Sequence, residues 1–462
     1  MSLKKSLAVG ALAMALPMSA MAVSDFKVNG FANAGFTWTD TDETYLFTTK
    51  DGSFSEASFF GLQMRFAPST DVPITFVTQL LAKGRSGWNV DADWAFVNWK
   101  VNDDFSINVG KVKLPIFLIS EAYDVGITYP WIAPPEEIYG FANVPFTSIT
   151  GLSLDYNHYF DETWINAKFY MGKDTAEIPA LGAKVPVEVQ QMFGAVFSVG
   201  GENWELRAST AVVDLYVPIA DTLQSLPVAQ AMQAEIGAAI MEATAGLAGA
   251  NSAVLGAQAQ LDAALATGTP AEQAAAGAAY AGALGNLDTA GAALASAAGE
   301  AANIEALFAV IPNGSGEADF YSLGFRYDGD RAFVMTELAR RGVDGVPFPD
   351  TDAAFVTVGY RMDKFTPHLT YSTIETEDSI LVNQSQSSII MGVRYDVQPW
   401  AALKFELQYT ELGDPTIREY GPLVGSELLS NGLFNELPDL ATFAGDVPDE
   451  LIRAQVAFTM VF

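Results

Sequence analysis

Hydrophobic and polar residues alternate along most of the chain, which is the spacing of a half-buried β-strand. From Phe26 to Trp38, apolar side chains occupy one face, and Lys27, Asn29 and Asn33 occupy the other. The same pattern returns repeatedly, as far as the final segment, Ile452 to Phe462. Counting these segments predicts about 16 strands, although one of them has no clear facing.

The connections between these strands alternate between turns of a few residues and long irregular loops. Outer-membrane barrels have an even number of strands, short periplasmic turns and long extracellular loops, whereas a soluble β-sandwich has no reason to keep this order. Four tryptophans fall at strand ends on the apolar face, as in an aromatic girdle: Trp38, Trp99, Trp164 and Trp204. The sequence therefore predicts an all-β fold, a transmembrane antiparallel β-barrel of about 16 strands.

The start of the chain and one interior stretch fall outside this pattern. Residues 1–22 have a basic start, a short apolar middle and a small-residue cleavage site, so they read as a signal peptide ahead of a barrel at 23–462. Residues 215–316 form an Ala-rich insertion in an extracellular loop, with two helices expected near Asp221–Ala266 and Pro270–Ala309. A cap over the mouth, a trimer contact, a surface shield and a partly disordered segment all remain open for this insertion.

Composition excludes several classes of function. The formal net charge of −31 argues against nucleic-acid binding, which needs basic patches. The chain has no cysteine, so it has no disulfide or thiolate metal site. Of the two histidines, His158 and His368, neither has a nucleophile motif beside it. We therefore expect no enzymatic activity, no cofactor and no metal.

The segment Pro115–Pro145 is a loop of about 30 residues without helix or strand periodicity. Loops of this length are uncommon and usually have a function. It is rich in proline and aromatic residues. In a closed membrane barrel, a loop this apolar is expected to fold inward and narrow the lumen. We predict that it is the constriction of a channel.

The chain resembles the Gram-negative outer-membrane porins, and within them a proteobacterial porin-like group. The resemblance is carried by Val109–Pro115, Tyr129–Trp131, Pro134–Glu137 and a last strand with Phe458 and the terminal Phe462. It implies a homotrimer in outer-membrane lipid that lets small hydrophilic solutes and ions diffuse passively. It also implies a third loop folded into the lumen.

Carried onto this chain, the resemblance assigns acidic constriction residues and an assembly signal. The acidic residues of the third loop are Glu121, Asp124, Glu136 and Glu137. Phe458 and Phe462 would form the assembly signal of the last strand. The short eyelet motif of the best-known general porins is absent from this sequence.

Basic residues on the polar faces of the strands are expected to line the lumen. The candidates for the wall are Arg65, Lys83, Lys100, Arg361, Arg394 and Lys404. They either neutralise neighbouring carboxylates and stiffen the wall, or they face the acidic loop and set up a transverse field that selects solutes. The acidic loops favour a weak preference for cations.

Two further functions stay open. A substrate-specific channel for small anions or organic acids would be expected to carry Lys or Arg in its third loop, and Ile116–Pro145 has none. A structural or adhesive surface barrel would use the Ala-rich insertion as its working part.

Overall fold

Sixteen antiparallel strands pair in sequence order and close into a barrel, with the first strand beside the last. The computed structural model describes residues 25–42, 45–69, 71–140, 146–180, 183–225, 227–310, 313–346, 349–376, 385–413 and 449–462. The strands are β1 (Asp25–Thr39), β2 (Phe59–Ala67), β3 (Ile74–Lys83), β4 (Val90–Lys100), β5 (Phe105–Lys113), β6 (Ser148–Tyr159), β7 (Trp164–Ala180), β8 (Ala183–Gly200), β9 (Trp204–Val217), β10 (Gly314–Asp328), β11 (Ala332–Asp344), β12 (Thr351–Tyr360), β13 (Phe365–Thr376), β14 (Gln386–Gln398), β15 (Ala401–Leu412) and β16 (Glu450–Val461). The predicted closed barrel of about 16 strands is confirmed.

The period-two pattern separates an apolar exterior from a mixed interior. On β9, Leu206 and Val212 are exposed outward, while Glu205, Arg207 and Ser209 are buried inward. Every outward leucine or valine left exposed would cost free energy in water, so this exterior suits lipid. Among the described helices, none combines the length and apolarity needed to cross a membrane.

The barrel is sealed where the last residue meets the first strand. The backbone N–H of Gly30 donates to the carbonyl of Phe462 at 2.7 Å, and the N–H of Phe462 returns a bond at 2.9 Å. The Phe462 ring lies over Gly30 so closely that a Cβ there would come within 2.2 Å of it, and it stacks near Phe60. A larger residue at position 30 would therefore displace this ring. The assembly role of Phe458 and Phe462 stays a prediction.

The two ends of the barrel differ in the length of their connections. Tight turns join β2 to β3, β4 to β5 and the following pairs at one end, called here the short-turn end. In the β4–β5 turn, the side chain of Asn102 accepts bonds from the backbone N–H groups of Asp104 and Phe105 at 2.9 and 2.8 Å. The opposite, long-loop end carries the stretch between β5 and β6 and the helical insertion.

The insertion between β9 and β10 is helical over α2 (Ile219–Ser225), α3 (Pro227–Thr267) and α4 (Pro270–Val310). The predicted first helix, Asp221–Ala266, is therefore two helices, because Pro227 lacks an N–H and begins a new one. Thr269 caps α4 through a reciprocal pair with Glu272: its N–H donates at 2.7 Å, and it accepts from the Glu272 N–H at 3.4 Å. The paired helices α3 and α4 make a hairpin about 60 Å long. The signal peptide predicted at 1–22 lies outside the described residues.

Candidate functional site: the loop inside the barrel

Residues 114–147, called loop 3, leave β5 and turn into the barrel. The described parts are 114–140 and 146–147, which include two short 3-10 turns and the single-turn helix α1 (Glu136–Tyr139). The loop meets strands on the opposite side of the ring, as the following contacts show. It is an interior element and does not lie over the outer mouth.

The root of loop 3 is held by β9 and β11 through backbone atoms. Arg207 donates to the carbonyl of Pro115 at 2.6 Å, and the Ser209 hydroxyl donates to the carbonyl of Ile116. The N–H of Leu118 donates to the Glu337 carboxylate at 2.8 Å. These buried side chains replace the water that an inward loop loses.

The middle of loop 3 is held by β14 and β15. The buried Lys404 ammonium donates to the carbonyl oxygens of Gly126 (2.6 Å), Tyr129 (2.9 Å) and Trp131. An ammonium has three donors, so these carbonyls satisfy it fully. Arg394 adds a bond of 2.6 Å to the carbonyl of Ile127.

The far end of the loop contacts the same wall. The N–H of Ile132 donates to the carboxylate of Glu406 at 2.8 Å. The carboxylate of Glu137 accepts bonds from Gln386 at 2.9 Å and Ser388 at 2.5 Å. The six side chains on β9, β11, β14 and β15 that hold backbone atoms of loop 3 are called here the anchor residues: Arg207, Ser209, Glu337, Arg394, Lys404 and Glu406.

An apolar cluster fills the barrel between loop 3 and the wall. Trp131 is wholly buried, its ring packs edge-on against Phe355 with centroids 5.6 Å apart, and its indole N–H donates to Thr370 at 2.8 Å. Ile138 is equally buried. The wall residues of this cluster include Ile149, Tyr170, Val189, Met192, Val213, Phe320 and Ile374. Burial of this surface stabilises the inward position of the loop.

Two of the four acidic residues of loop 3, Asp124 and Glu121, are paired with lysines. Asp124 lies 2.7 Å from Lys83 and 2.8 Å from Lys113, and Lys113 also lies 2.9 Å from Asp93. Burial by itself would raise the pKa of Asp124, but the two ammonium groups outweigh it and hold the pKa well below its usual range. Asp124 therefore stays ionised.

Glu121 and Glu136 have opposite surroundings. Glu121 contacts Lys168 at 2.5 Å and Arg207 at 3.7 Å, and these cations overcome the effect of burial and lower its pKa. For Glu136, burial dominates and raises the pKa from 4.5 to about 7, although Arg85 and Arg453 oppose the rise. The loop thus carries one carboxyl that changes charge near neutral pH.

The predicted wall residues divide into two groups. Lys83, Arg394 and Lys404 contact loop 3 directly. Arg361 pairs with Asp328 in the lumen. Lys100 lies near the short-turn end and pairs with Asp103 at 2.8 Å, while Arg65 is exposed, and neither contacts loop 3 within the described ranges.

Several residues of this site were not chosen as candidates from the sequence: the anchor residues Arg207, Ser209, Glu337 and Glu406, and the ion-pair residues Asp93, Lys113 and Lys168. Lys113 lies at the junction of strand and loop, where alternation does not fix its facing. Glu337 lies on β11, the strand with no clear facing, because its inward Phe333 and Met335 are as apolar as its outward side. Asp93 adjoins a register shift in the pairing of β3 with β4. The signal available in the sequence was that Asp93 and Lys113 both lacked an assigned ion-pair partner.

Space remains inside the barrel beside loop 3. A cavity of about 360 Å³ lies between the loop and β10–β14 near the short-turn end, lined by Glu121, Arg326, Arg361 and Arg394 among others. A smaller cavity of about 50 Å³ lies between the loop and the wall near Lys83 and Glu56.

No protein-family model matches this chain, and neither does any curated protein. Solved structures do match. The anion-selective porin from Comamonas acidovorans is 11% identical with a TM-score of 0.51, over 95% of this chain and 99% of that one. OmpF of Salmonella typhi in complex with daunomycin is 11% identical with a TM-score of 0.49, over 95% of this chain and 97% of the other. The outer membrane channel DcaP of Acinetobacter baumannii is 10% identical with a TM-score of 0.47, over 94% and 97%.

The match to the Comamonas acidovorans protein shows the fold alone. The chain has the fold of the Gram-negative outer-membrane porins, a closed 16-strand barrel with an apolar exterior. Closed β-barrels and α-helices are the two structures that span membranes. Single-chain barrels of this kind belong to the outer membrane. The predicted fold and location are therefore confirmed, and residue roles need separate arguments.

Proposed function

We propose that this chain is an outer-membrane porin that lets small hydrophilic solutes and ions diffuse passively, with loop 3 as its constriction. The observation that carries the proposal is the course of loop 3, which runs from β5 to anchor residues on the opposite wall. A barrel of 16 strands is wide enough for an aqueous channel, and an element held across it sets the limiting cross-section.

The charges of loop 3 favour a modest selectivity. Asp124 is neutralised by Lys83 and Lys113, and Glu121 by Lys168. Paired charges give a weaker transverse field than an unpaired acidic loop facing a basic wall. We therefore expect passage to depend mainly on size, with a weak preference for cations set by the acidic outer loops.

The orientation and assembly of the barrel complete the proposal. The short-turn end faces the periplasm and the long-loop end faces the exterior. We expect homotrimers, and no enzymatic activity. Chemical crosslinking of the barrel in detergent, resolved by gel electrophoresis, tests the oligomeric state.

Planar-bilayer recording tests the channel itself. Purified protein should give stepwise ohmic conductance in KCl, in groups of three if the trimer inserts as a unit. Reversal potentials in a salt gradient measure the ion preference. A barrel that inserts without conductance at any voltage would reject the channel and favour a structural or adhesive surface barrel that works through α3 and α4.

A further inference from the structure

The 360 Å³ cavity beside loop 3 is lined by both charged and apolar side chains. The charged residues are three arginines and three carboxylates: Arg326, Arg361, Arg394, Glu121, Asp328 and Asp396. Ile127 of loop 3 supplies accessible apolar surface, whereas Leu118 and Phe333 are almost fully buried. The volume of the cavity lies in the range of small-molecule sites. This combination suits a solute with a charged head and an apolar body.

Two of the arginines flank a shared position on the wall. Arg394 pairs in register with Thr366 on β13. Arg361 immediately precedes Met362, which bridges to Phe365, so Arg361 lies opposite Thr366 from the other side. Neighbouring strands are about 4.8 Å apart, which separates the two arginine backbones by about 10 Å, with the Thr366 side chain between them.

Each guanidinium keeps an N–H edge for a ligand. Arg394 uses Nε for Asp396 at 2.7 Å and Nη1 for the Ile127 carbonyl at 2.6 Å, and its Nη2 has no partner among the described residues. Arg361 donates Nη1 to the Gly329 carbonyl at 2.8 Å and Nη2 to Asp328, which leaves Nε without a partner in the same ranges. The guanidinium of Arg361 also lies 5.3 Å from the centroid of the Phe333 ring.

We infer that this cavity is a binding site for a small amphipathic carboxylate, such as an aromatic or short-chain organic acid. The carboxylate lies between Arg361 and Arg394, and the apolar body rests on the half-buried side chain of Ile127. A planar guanidinium matches a carboxylate in geometry and charge. The inference rests on the proposed channel and names a solute class for it.

The neighbouring carboxylates weaken the binding of an anion at this site, so that a bound solute can leave it again. Asp328 and Asp396 already share the charge of the two arginines, so a bound anion gains less than it would beside a free guanidinium. A solute must bind weakly enough to leave a channel again. The wall thus supplies the basic groups that the sequence of loop 3 lacks.

Bilayer recordings with three probes of similar size test the site. Benzoate, benzamide and benzylammonium are added in turn to channels that conduct KCl, and the concentration that halves the current is measured. We expect benzoate to block at concentrations at least tenfold lower than the other two. Equal block by benzylammonium would show that the ring alone, or an acidic group, governs binding, and would overturn the inference.

Two lumen arginines make a matched pair of variants. Arg361→Gln should raise the half-blocking concentration of benzoate about tenfold, since it removes a charge-assisted hydrogen bond. Arg65→Gln removes the same charge from the lumen outside the cavity and should change it less than twofold. Equal effects of the two variants would show a general field effect and reject the pocket.

A third variant and a second readout keep the test decisive. Ile127→Ser should weaken block by benzoate more than block by acetate, because only benzoate reaches the apolar side chain. Binding of benzoate to the intact barrel in detergent is followed in parallel by ligand-detected NMR. KCl conductance without any benzoate effect rejects the pocket alone, whereas benzoate binding without KCl conductance rejects the proposed channel alone.

Discussion

Asp124 has the densest ionic surroundings of any residue in loop 3 that the structure describes. It joins Lys83 of β3 to Lys113 of β5, and Lys113 in turn joins Asp93 of β4. All four side chains are buried or nearly so. Such a group contributes little net stability when it is complete, but the loss of one member leaves a buried charge without compensation.

Asp124→Asn should therefore destabilise the barrel by about 3 kcal/mol, because the ammonium of Lys83 loses its carboxylate and Lys113 keeps only Asp93. Urea unfolding in lipid vesicles, followed by tryptophan fluorescence, measures the change. Asp103→Asn is the control, since that residue pairs with Lys100 in full contact with solvent and its loss should leave the midpoint unchanged. Equal midpoints for the two variants would contradict the role assigned to Asp124.

Glu136 is expected to make loop 3 sensitive to pH. Its pKa is about 7 in the folded protein against 4.5 for the free side chain, because burial disfavours the charged form. A raised pKa means that the folded state binds the proton more tightly. The resulting stabilisation is complete below pH 4.5 and is lost as the pH rises through 7.

Hydrogen exchange of loop-3 amides should accordingly be faster at pH 8 than at pH 5.5, after correction for the intrinsic rates. Glu136→Gln should abolish this difference, since an amide mimics the protonated carboxyl at every pH. Glu121→Gln is the matched control and should keep the pH dependence. The pKa of Glu121 is lowered, so this residue does not change charge between pH 5.5 and pH 8. A pH dependence that survives in Glu136→Gln would assign the effect to another group.

Loop 3 is fixed through its main chain as well as through the ion pairs of Asp124 and the apolar cluster around Trp131. The anchor residues bind backbone N–H and carbonyl groups from Pro115 to Ile132. Lys404 makes three of these contacts from a side chain that is 1% exposed. Its removal would leave three carbonyls in a dry interior without a donor.

Lys404→Met should release the middle of loop 3 at a cost of about 3 kcal/mol, since hydrogen bonds from charged groups are the stronger kind. Single-channel conductance should rise and become noisier, and the amides near Tyr129 should exchange faster. Arg65→Met removes a lumen charge that does not touch the loop and should alter neither property. Unchanged exchange in Lys404→Met would mean that apolar packing alone holds the loop.

The strands could be predicted from alternation. Of the six anchor residues, only Arg394 and Lys404 were predicted as wall residues, and the bonds that the anchors make to the loop could not be predicted. Period two fixed the facing of β9 and β16 because one side of each meets lipid and the other carries polar groups. It failed on β11, where Phe333 and Met335 pack inward against loop 3, so both faces are apolar. The apolar composition of loop 3 indicated an inward fold, but bonds to backbone carbonyls leave no mark in the sequence of the loop itself.

The complete ring has an exterior that lipid must cover. On β10, Tyr321 and Leu323 are each about half exposed on the outward face, at 50% and 49%. The inward neighbour Ser322 is buried and donates to Glu337. The same separation of an apolar outward face from a polar inward face recurs around the barrel. The whole outer surface therefore sets the position of the barrel in a bilayer.

Leu323→Arg should therefore lower the stability of the barrel in lipid vesicles by about 2 kcal/mol, which is typical of a charge on the lipid face. Leu323→Phe keeps the surface apolar and should have little effect. Equilibrium unfolding in urea, read from tryptophan fluorescence, measures both. An arginine tolerated as well as phenylalanine would show that this face meets water.

The hydrogen bonds from the anchor residues to the main chain of loop 3 influence which of its side chains can be substituted. Most anchor bonds go to backbone carbonyl groups, which every amino acid supplies. Side chains of loop 3 that line the passage and do not contact the wall can therefore be substituted without detaching the loop. Substitutions at loop-3 positions that face the open lumen should accordingly leave the position of the loop unchanged.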